Sequence, residues 1–298
     1  MTLSNKYRPT EFSDVVSQEV CIKVLNTQIA NKSYSHAILF AGNAGCGKTT
    51  CAKIFANKID GEIIELDCAS HNGVAEIKDI IEKARTKSLL HEYKVIILDE
   101  CHTLTSQAWA SLLITLEETL SHTIFIFCTT DTQKIPDTII SRVQRFNFLP
   151  IPDNDIIARL KSICSIESIT ISDDALQYIA KSASGNLRQA LTNLDKCMLY
   201  GDLSCESVCK VLNIVSLDVM NDLYNAFENK SRLDIIHLIE AIYNNGYNLH
   251  QFIRQFLDYC INKSNIELID RLLVIMQDIR YDDSPKNIII ARLIIQRT

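Results

Sequence analysis

The sequence predicts an α/β domain built on a parallel sheet, followed by a small helical domain and a further helical domain. Three observations carry this reading. From Ser35 to about Leu149, short β-branched runs alternate with longer amphipathic stretches, the pattern of buried parallel strands covered by crossover helices. Pro150-Ile151-Pro152 then punctuates the chain, because each proline removes a backbone donor and biases its predecessor away from helix. After Pro152 the apolar residues recur at three- and four-residue steps, the spacing of helices with one buried face. The resulting boundaries are 1–150, 151–203 and 204–298.

In chain order, the strand runs are Ala37-Ile38-Leu39-Phe40, Ile63-Ile64-Glu65-Leu66, Val95-Ile96-Ile97-Leu98 and Ile124-Phe125-Ile126-Phe127. A helix is predicted from Thr50 to Asn57, after the first run. Beyond Pro152, helices are predicted over Ile156 to Ile163, Ser172 to Ala183, Asn186 to Leu199, Asp218 to Phe227, Ser231 to Asn244, Leu249 to Asn262 and Ile266 to Arg280. No internal repeat or low-complexity segment interrupts them.

At 298 residues the chain holds about two ordinary domains' worth of sequence. Its 30 basic and 36 acidic side chains leave a net charge of −6, which excludes a basic coat able to hold nucleic acid unaided. There are only eight glycines, and Gly42, Gly45 and Gly47 fall within one short stretch. A chain this sparing with glycine is expected to use that stretch for a tight turn or a close approach. The 11 cysteines are scattered with no CxxC. Cys205 and Cys209 come nearest to ligand spacing, but no second Cys/His pair accompanies them, so reduced thiols are expected. The N-terminus lacks an apolar signal region and no apolar run reaches about 18 residues. This reads as a soluble, cytoplasmic protein with no membrane partner.

Gly42-Asn43-Ala44-Gly45-Cys46-Gly47-Lys48-Thr49 fits GxxxxGK[ST] without a mismatch, and Thr50 continues it into the predicted helix. A strand, this loop and a helix in succession form the context in which backbone N–H groups turn inward around phosphate oxygens. Lys48 is then expected to reach the β and γ phosphates of ATP, and Thr49 to bind Mg²⁺. The third strand run ends in Asp99-Glu100. At the tip of a parallel strand next to the phosphate loop, Asp99 is expected in the Mg²⁺ shell, with Glu100 polarising an attacking water. His102 completes a string, Asp-Glu-Cys-His, that superficially matches helicases, but no other helicase motif follows. The fourth run ends Cys128-Thr129-Thr130-Asp131, where Thr130, or else Thr129, could hydrogen-bond the γ phosphate or the water.

Together these residues resemble the clamp-loader branch of the AAA+ ATPases. Lys6-Tyr7-Arg8-Pro9, Phe12, Asp14-Val15-Val16 and Gln18 are similar to the family's opening box, which implies that Tyr7, Arg8 and Val16 pack around adenine. Glu65 to Val74 resembles the second strand and the loop after it. Ser141-Arg142 is similar to the family's serine-arginine-cysteine signature, which implies that Arg142 acts as a finger on a neighbouring subunit's ATP. Gly185-Asn186-Leu187-Arg188 resembles the sensor 2 motif, which implies that Arg188 reads the γ phosphate from the lid.

The departures carry expectations of their own. Val143 replaces the signature cysteine. Only Lys58 to Gly61 stand where bacterial members usually insert a four-cysteine module, so no zinc is expected. His71 and Gly73 replace residues that are often basic in the DNA-facing loop, leaving Lys78. The chain ends before the long tail of some members, so no tethering through such a tail is expected.

The resemblance implies an AAA+ domain, a helical lid and a C-terminal collar, in an ATPase subunit that opens a sliding clamp and loads it on primer-template DNA. The implied partners are other loader subunits in a ring, the clamp and DNA. Helix ends around Leu89 and Leu90 are the candidate clamp contact. The alternatives are a non-hydrolysing structural subunit of the same assembly, or another AAA+ DNA-processing motor such as a branch-migration ATPase.

Overall fold

In the computed structural model, which describes residues 2–280 and 285–294, the apolar runs of the first half become a parallel sheet. The chain divides into two units, Met1–Ile169 with Ala183–Asp195 and Thr170–Ser182 with Lys196–Thr298. In the first, α1 (Leu3–Lys6) and α2 (Glu19–Asn31) precede β1 (Ala37–Ala41). There follow α3 (Lys48–Lys58), β2 (Gly61–Asp67), α4 (Val74–Arg85), β3 (Tyr93–Asp99) and α5 (Ser106–Glu117). The unit continues with β4 (Thr123–Thr129), α6 (Asp137–Ile140), β5 (Gln144–Asn147) and α7 (Asp153–Ile166).

Strand parity builds the layers, because successive side chains point to opposite faces. Ile38, Phe40, Val95, Ile97 and Ile126 pack with Leu25 of α2 and Phe55 of α3. Their sequence neighbours Leu39, Ile96, Leu98 and Phe127 pack with Ile77 of α4 and Trp109 and Leu112 of α5. Every residue of β1 and β4 is buried, which is why these segments read as unbroken apolar runs. Fully burying one such side chain is worth about 1.5–3 kcal/mol.

The sheet order is β2-β3-β4-β1-β5, and every pairing is parallel. One sequence expectation changes here. The sheet has a fifth strand, β5, whose Gln-Arg-Phe-Asn buries only Phe146; as an edge strand paired with β1 alone, it carries no apolar run to read. β4 lies between β1 and β3, an order the sequence did not address, and the tip of β3 still reaches the phosphate loop through Asp99 and Thr49.

α8 (Asp173–Ala183) and α9 (Leu187–Tyr200) contribute residues to both units. The second unit continues with α10 (Cys205–Leu212), α11 (Leu217–Glu228), α12 (Arg232–Asn244), α13 (Leu249–Asn262), α14 (Ile266–Asp278) and α15 (Lys286–Ile294). Its core joins Leu223, Ile239, Phe252, Phe256, Leu272 and Ile289. The seven expected helices are present, with ends displaced by a few residues. α10 and α15 were not read from the sequence: one is only 8 residues long, and the other follows Pro285 with too little polar spacing to display a face. Of the 204–298 region, residues 281–284 and 295–298 lie outside the described residues.

All 11 cysteines are free, and all but Cys205 are buried. No helix among the described residues is long and apolar enough to cross a membrane. Leu89 and Leu90 are 99% and 87% exposed, but they lie in the bend between α4 and β3, not on a helix end.

Candidate functional site

The loop between β1 and α3 turns where two glycines take backbone angles that other residues avoid. Gly45 has φ +68° and Gly47 φ +103°, and a Cβ on Gly45 would meet Asn186 Oδ1 at 1.7 Å. Gly47 caps α3, which begins at Lys48, two residues earlier than the sequence suggested. Lys48 and Thr49 therefore occupy the helix's first turn, at the positive end of its dipole. The Lys48 ammonium is buried and donates to the carbonyls of Gly42 at 2.8 Å and Asn43 at 2.9 Å, which holds it across the loop where phosphate oxygens could accept instead. Gly42 N–H donates to Thr129 O at 3.2 Å, fastening the loop to the tip of β4. Burial pushes the Cys46 thiol above its ordinary pKa, and it donates to Asn43 O. Cys51 beneath it is pushed up to about 12, so neither thiol is poised as a nucleophile.

A second set of groups converges from the other strand tips. Thr49 Oγ1 donates to Asp99 Oδ2 at 2.7 Å, and Asp99 Oδ1 accepts the N–H of Glu100 at 3.0 Å. Hard oxygens from a hydroxyl and a carboxylate, side by side, suit Mg²⁺, which takes one or two protein ligands and keeps several waters. The residues present thus fit the metal. Glu100, in the left-handed region at φ +48°, accepts from Thr130 Oγ1 at 3.0 Å. Thr129 is buried and spends its hydroxyl on Asp131 O at 3.0 Å, and Thr130, preferred over Thr129 from the sequence, is the one that meets Glu100.

A cavity of about 620 Å³ unites Tyr7, Arg8 and Val16 with Ala44 to Thr50, Asp99, Glu100 and Arg188. Arg8 Nε donates to Thr50 Oγ1 at 3.2 Å. Tyr7 OH and Lys6 Nζ both donate to Glu167 Oε1 at 2.5 Å. The bond to Glu167 raises the Tyr7 pKa, and the Lys6 ammonium, followed by Tyr7, lowers that of Glu167. The backbone N–H of Leu3 donates to Asp195 Oδ2 at 2.9 Å. The opening segment is thus fastened to Glu167, which caps the end of α7, and to the middle of α9.

Arg142 is the predicted residue that stands apart. It donates to Glu117 Oε1 at 2.7 Å and to Thr138 O at 2.8 Å, outside the cavity. Two cavity carboxylates, Glu65 and Asp67, were not singled out as site residues, although Asp67 ends β2 and Glu65 stands two residues before it. The capping role of Asn186 went unread, although the sequence put it at the start of a helix: its Oδ1 accepts Gln189 N–H at 2.9 Å, so it caps α9, and an Asn opening a helical pattern is a legible cap signal.

Residues 38–151 match the ATPase family associated with various cellular activities, AAA, and residues 158–198 match the RCF1/5-like AAA+ ATPase lid domain. The chain belongs to the AAA+ ATPases. Within that family it is similar to the DNA polymerase III gamma/tau subunits. It is 36% identical over 279 residues to the DNA polymerase III subunit tau of Bacillus subtilis, covering 85% of this chain and 50% of that protein. It is 34% identical over 284 residues to the gamma/tau subunit of Mycoplasma genitalium, covering 86% and 48%. The chain therefore spans about half the length of these relatives. Among solved structures, the RuvB Holliday junction branch migration motor of Thermotoga maritima shares the fold. It aligns at TM-score 0.59 and 20% identity, over 74% of this chain and 80% of that one.

Proposed function

We propose that the chain is the ATP-hydrolysing subunit of a sliding-clamp loader, in which ATP binding and hydrolysis drive opening of the clamp and its release around primer-template DNA. The observation that carries this reading is the composition of one cavity. Phosphate loop, metal donors, base and Arg188 share it, while Arg142 is held by Glu117 outside it.

Tyr7, Arg8 and Val16 bind the adenine side of the nucleotide. Lys48 gives up its two carbonyl partners to hold phosphate oxygens. Thr49 and Asp99 hold Mg²⁺, which when bound neutralises charge on the β and γ phosphates. Glu100 orients the attacking water and accepts its proton, and Thr130 donates to a γ-phosphate oxygen. Arg188 reads that phosphate from the lid at 151–203, so nucleotide state becomes a change of lid position. Arg142 completes the site of a neighbouring subunit, and hydrolysis then depends on assembly. Similarity to the gamma/tau subunits supports a place beside a replicative polymerase. The 204–298 region serves as the collar, Lys78 on the exposed face of α4 contributes to a shared DNA channel, and Leu89 and Leu90 contact the clamp.

The experiment is ATP turnover by the purified chain and its co-purifying subunits, with and without a sliding clamp and primed DNA. Stimulation by both is expected; turnover indifferent to both would overturn the proposal.

A further inference from the structure

We propose that His102 is a positioning residue for Glu100, holding the carboxylate in place when the Thr130 hydroxyl turns to phosphate. The inference rests on the reading of Glu100 as the group that orients water.

Glu100 Oε2 has two neighbours, Thr130 Oγ1 at 3.0 Å and His102 Nδ1 at 3.3 Å. Thr130 is a donor with a single proton, and it is exposed at the tip of β4. A γ-phosphate oxygen and Glu100 therefore compete for one O–H. Once the phosphate takes it, the carboxylate has lost a partner at the moment its orientation matters.

The positioning role requires a proton on His102 Nδ1, and the contacts around the ring have room for it. Its Nδ1 lies 3.3 Å from Thr129 Oγ1 as well as from Glu100 Oε2. Thr129 receives Asp131 N–H at 3.0 Å and donates its own proton to Asp131 O at 3.0 Å. An ionised carboxylate can only accept. With the Thr129 proton given to Asp131 O, both neighbours face Nδ1 as acceptors, and the positioning role places a proton there. A bare Nδ1 would instead face two acceptors.

The ring is also held from below. His102 belongs to the short 3₁₀ turn Cys101–Thr103, in which Cys101 is buried. Thr103 Oγ1 lies 2.6 Å from Cys68 O and 2.9 Å from Glu100 O, tying the turn to the segment after β2. The side chain of His102 is only 16% exposed. A donor on a pinned turn costs less to keep aligned than one on a mobile side chain.

Two measurements test this. In the ¹⁵N-labelled chain, the ring nitrogens of His102, assigned by their loss in His102→Asn, are expected to show a proton on Nδ1. A bare Nδ1 overturns the proposal. In single-turnover and steady-state ATP hydrolysis by the assembled complex, His102→Ala is expected to lower kcat by about 10-fold, part of the roughly 10²–10⁴ that a positioned base supplies. KM and nucleotide affinity should stay unchanged.

His102→Asn, whose amide N–H falls near the Nδ1 position, should recover most of that loss. His102→Gln, whose amide reaches the Nε2 position, should not. Parental kcat in His102→Ala, or equal losses in all three variants accompanied by weaker nucleotide binding, would overturn the positioning role. Glu100→Gln is measured alongside. If it is inactive while His102→Ala is normal, only the positioning role falls; if Glu100→Gln turns over at the parental rate, the reading of Glu100 falls and His102 with it.

Discussion

Polar atoms do different work at the strand tips of the first unit and in the helical core of the second. At the tips, Thr49 meets Asp99 and Thr130 meets Glu100 across segments far apart in sequence, while Lys48 meets two carbonyls of its own loop. In the second unit they mostly end helices. Ser204, Ser216, Asn248 and Asn265 each accept an N–H from the first turn of the helix that follows, above a core of Phe252, Phe256 and Leu272. Open parallel sheets place their loops at the carboxyl ends of the strands, so polar side chains from distant sequence meet there. Helices satisfy their own backbones and leave only their ends to be capped. Changes at the tips should therefore alter chemistry, and changes among the helices should alter stability.

The largest expected effect is at Arg142. If it completes a neighbour's site, Arg142→Ala should cut turnover of the assembled complex by about 10³–10⁵ and leave nucleotide binding to this chain intact; intact turnover would break the trans assignment. Glu100→Gln should lower turnover by about 10²–10⁴ while retaining ATP, read by single-turnover hydrolysis beside equilibrium binding.

For the helical region, Phe252→Ala removes a fully buried ring and should cost about 3–5 kcal/mol, seen as a lower denaturant midpoint with nucleotide affinity unchanged. A parallel fall in affinity would show that the two regions are not separable. Asn265→Ala, which removes the cap of α14 and a bond to Glu228, should cost about 1 kcal/mol, measured by the same denaturation.

How far the site could be read depended on where each residue's partners lie. The phosphate loop was legible because its requirements are local: glycine where φ is positive, a helix start next, and lysine with threonine in the first turn. Asp99 and Glu100 were legible because four buried residues followed by two carboxylates mark the tip of a covered strand. Thr130 was preferred over Thr129 from its place at the strand tip, but its contact with Glu100 joins two different strand ends and shows only in the fold. β5 escaped notice because an edge strand pairs on one side and buries one residue. Asn186 was placed in a motif and at a helix start, but its fit against Gly45 joins residues far apart in sequence.

Local rules written into the chain were enough for the α/β class, the run of helices after Pro152, the nucleotide loop and the acidic strand tip. Their physical basis is short-ranged: backbone conformation, side-chain period and helix capping act within a few residues. Only the tertiary structure decided that β4 inserts between β1 and β3, that Thr130 and His102 converge on one oxygen of Glu100, and that Arg142 turns to Glu117 outside its own cavity. Those outcomes depend on strand order and on the competition of donors for acceptors, which have no counterpart in sequence spacing.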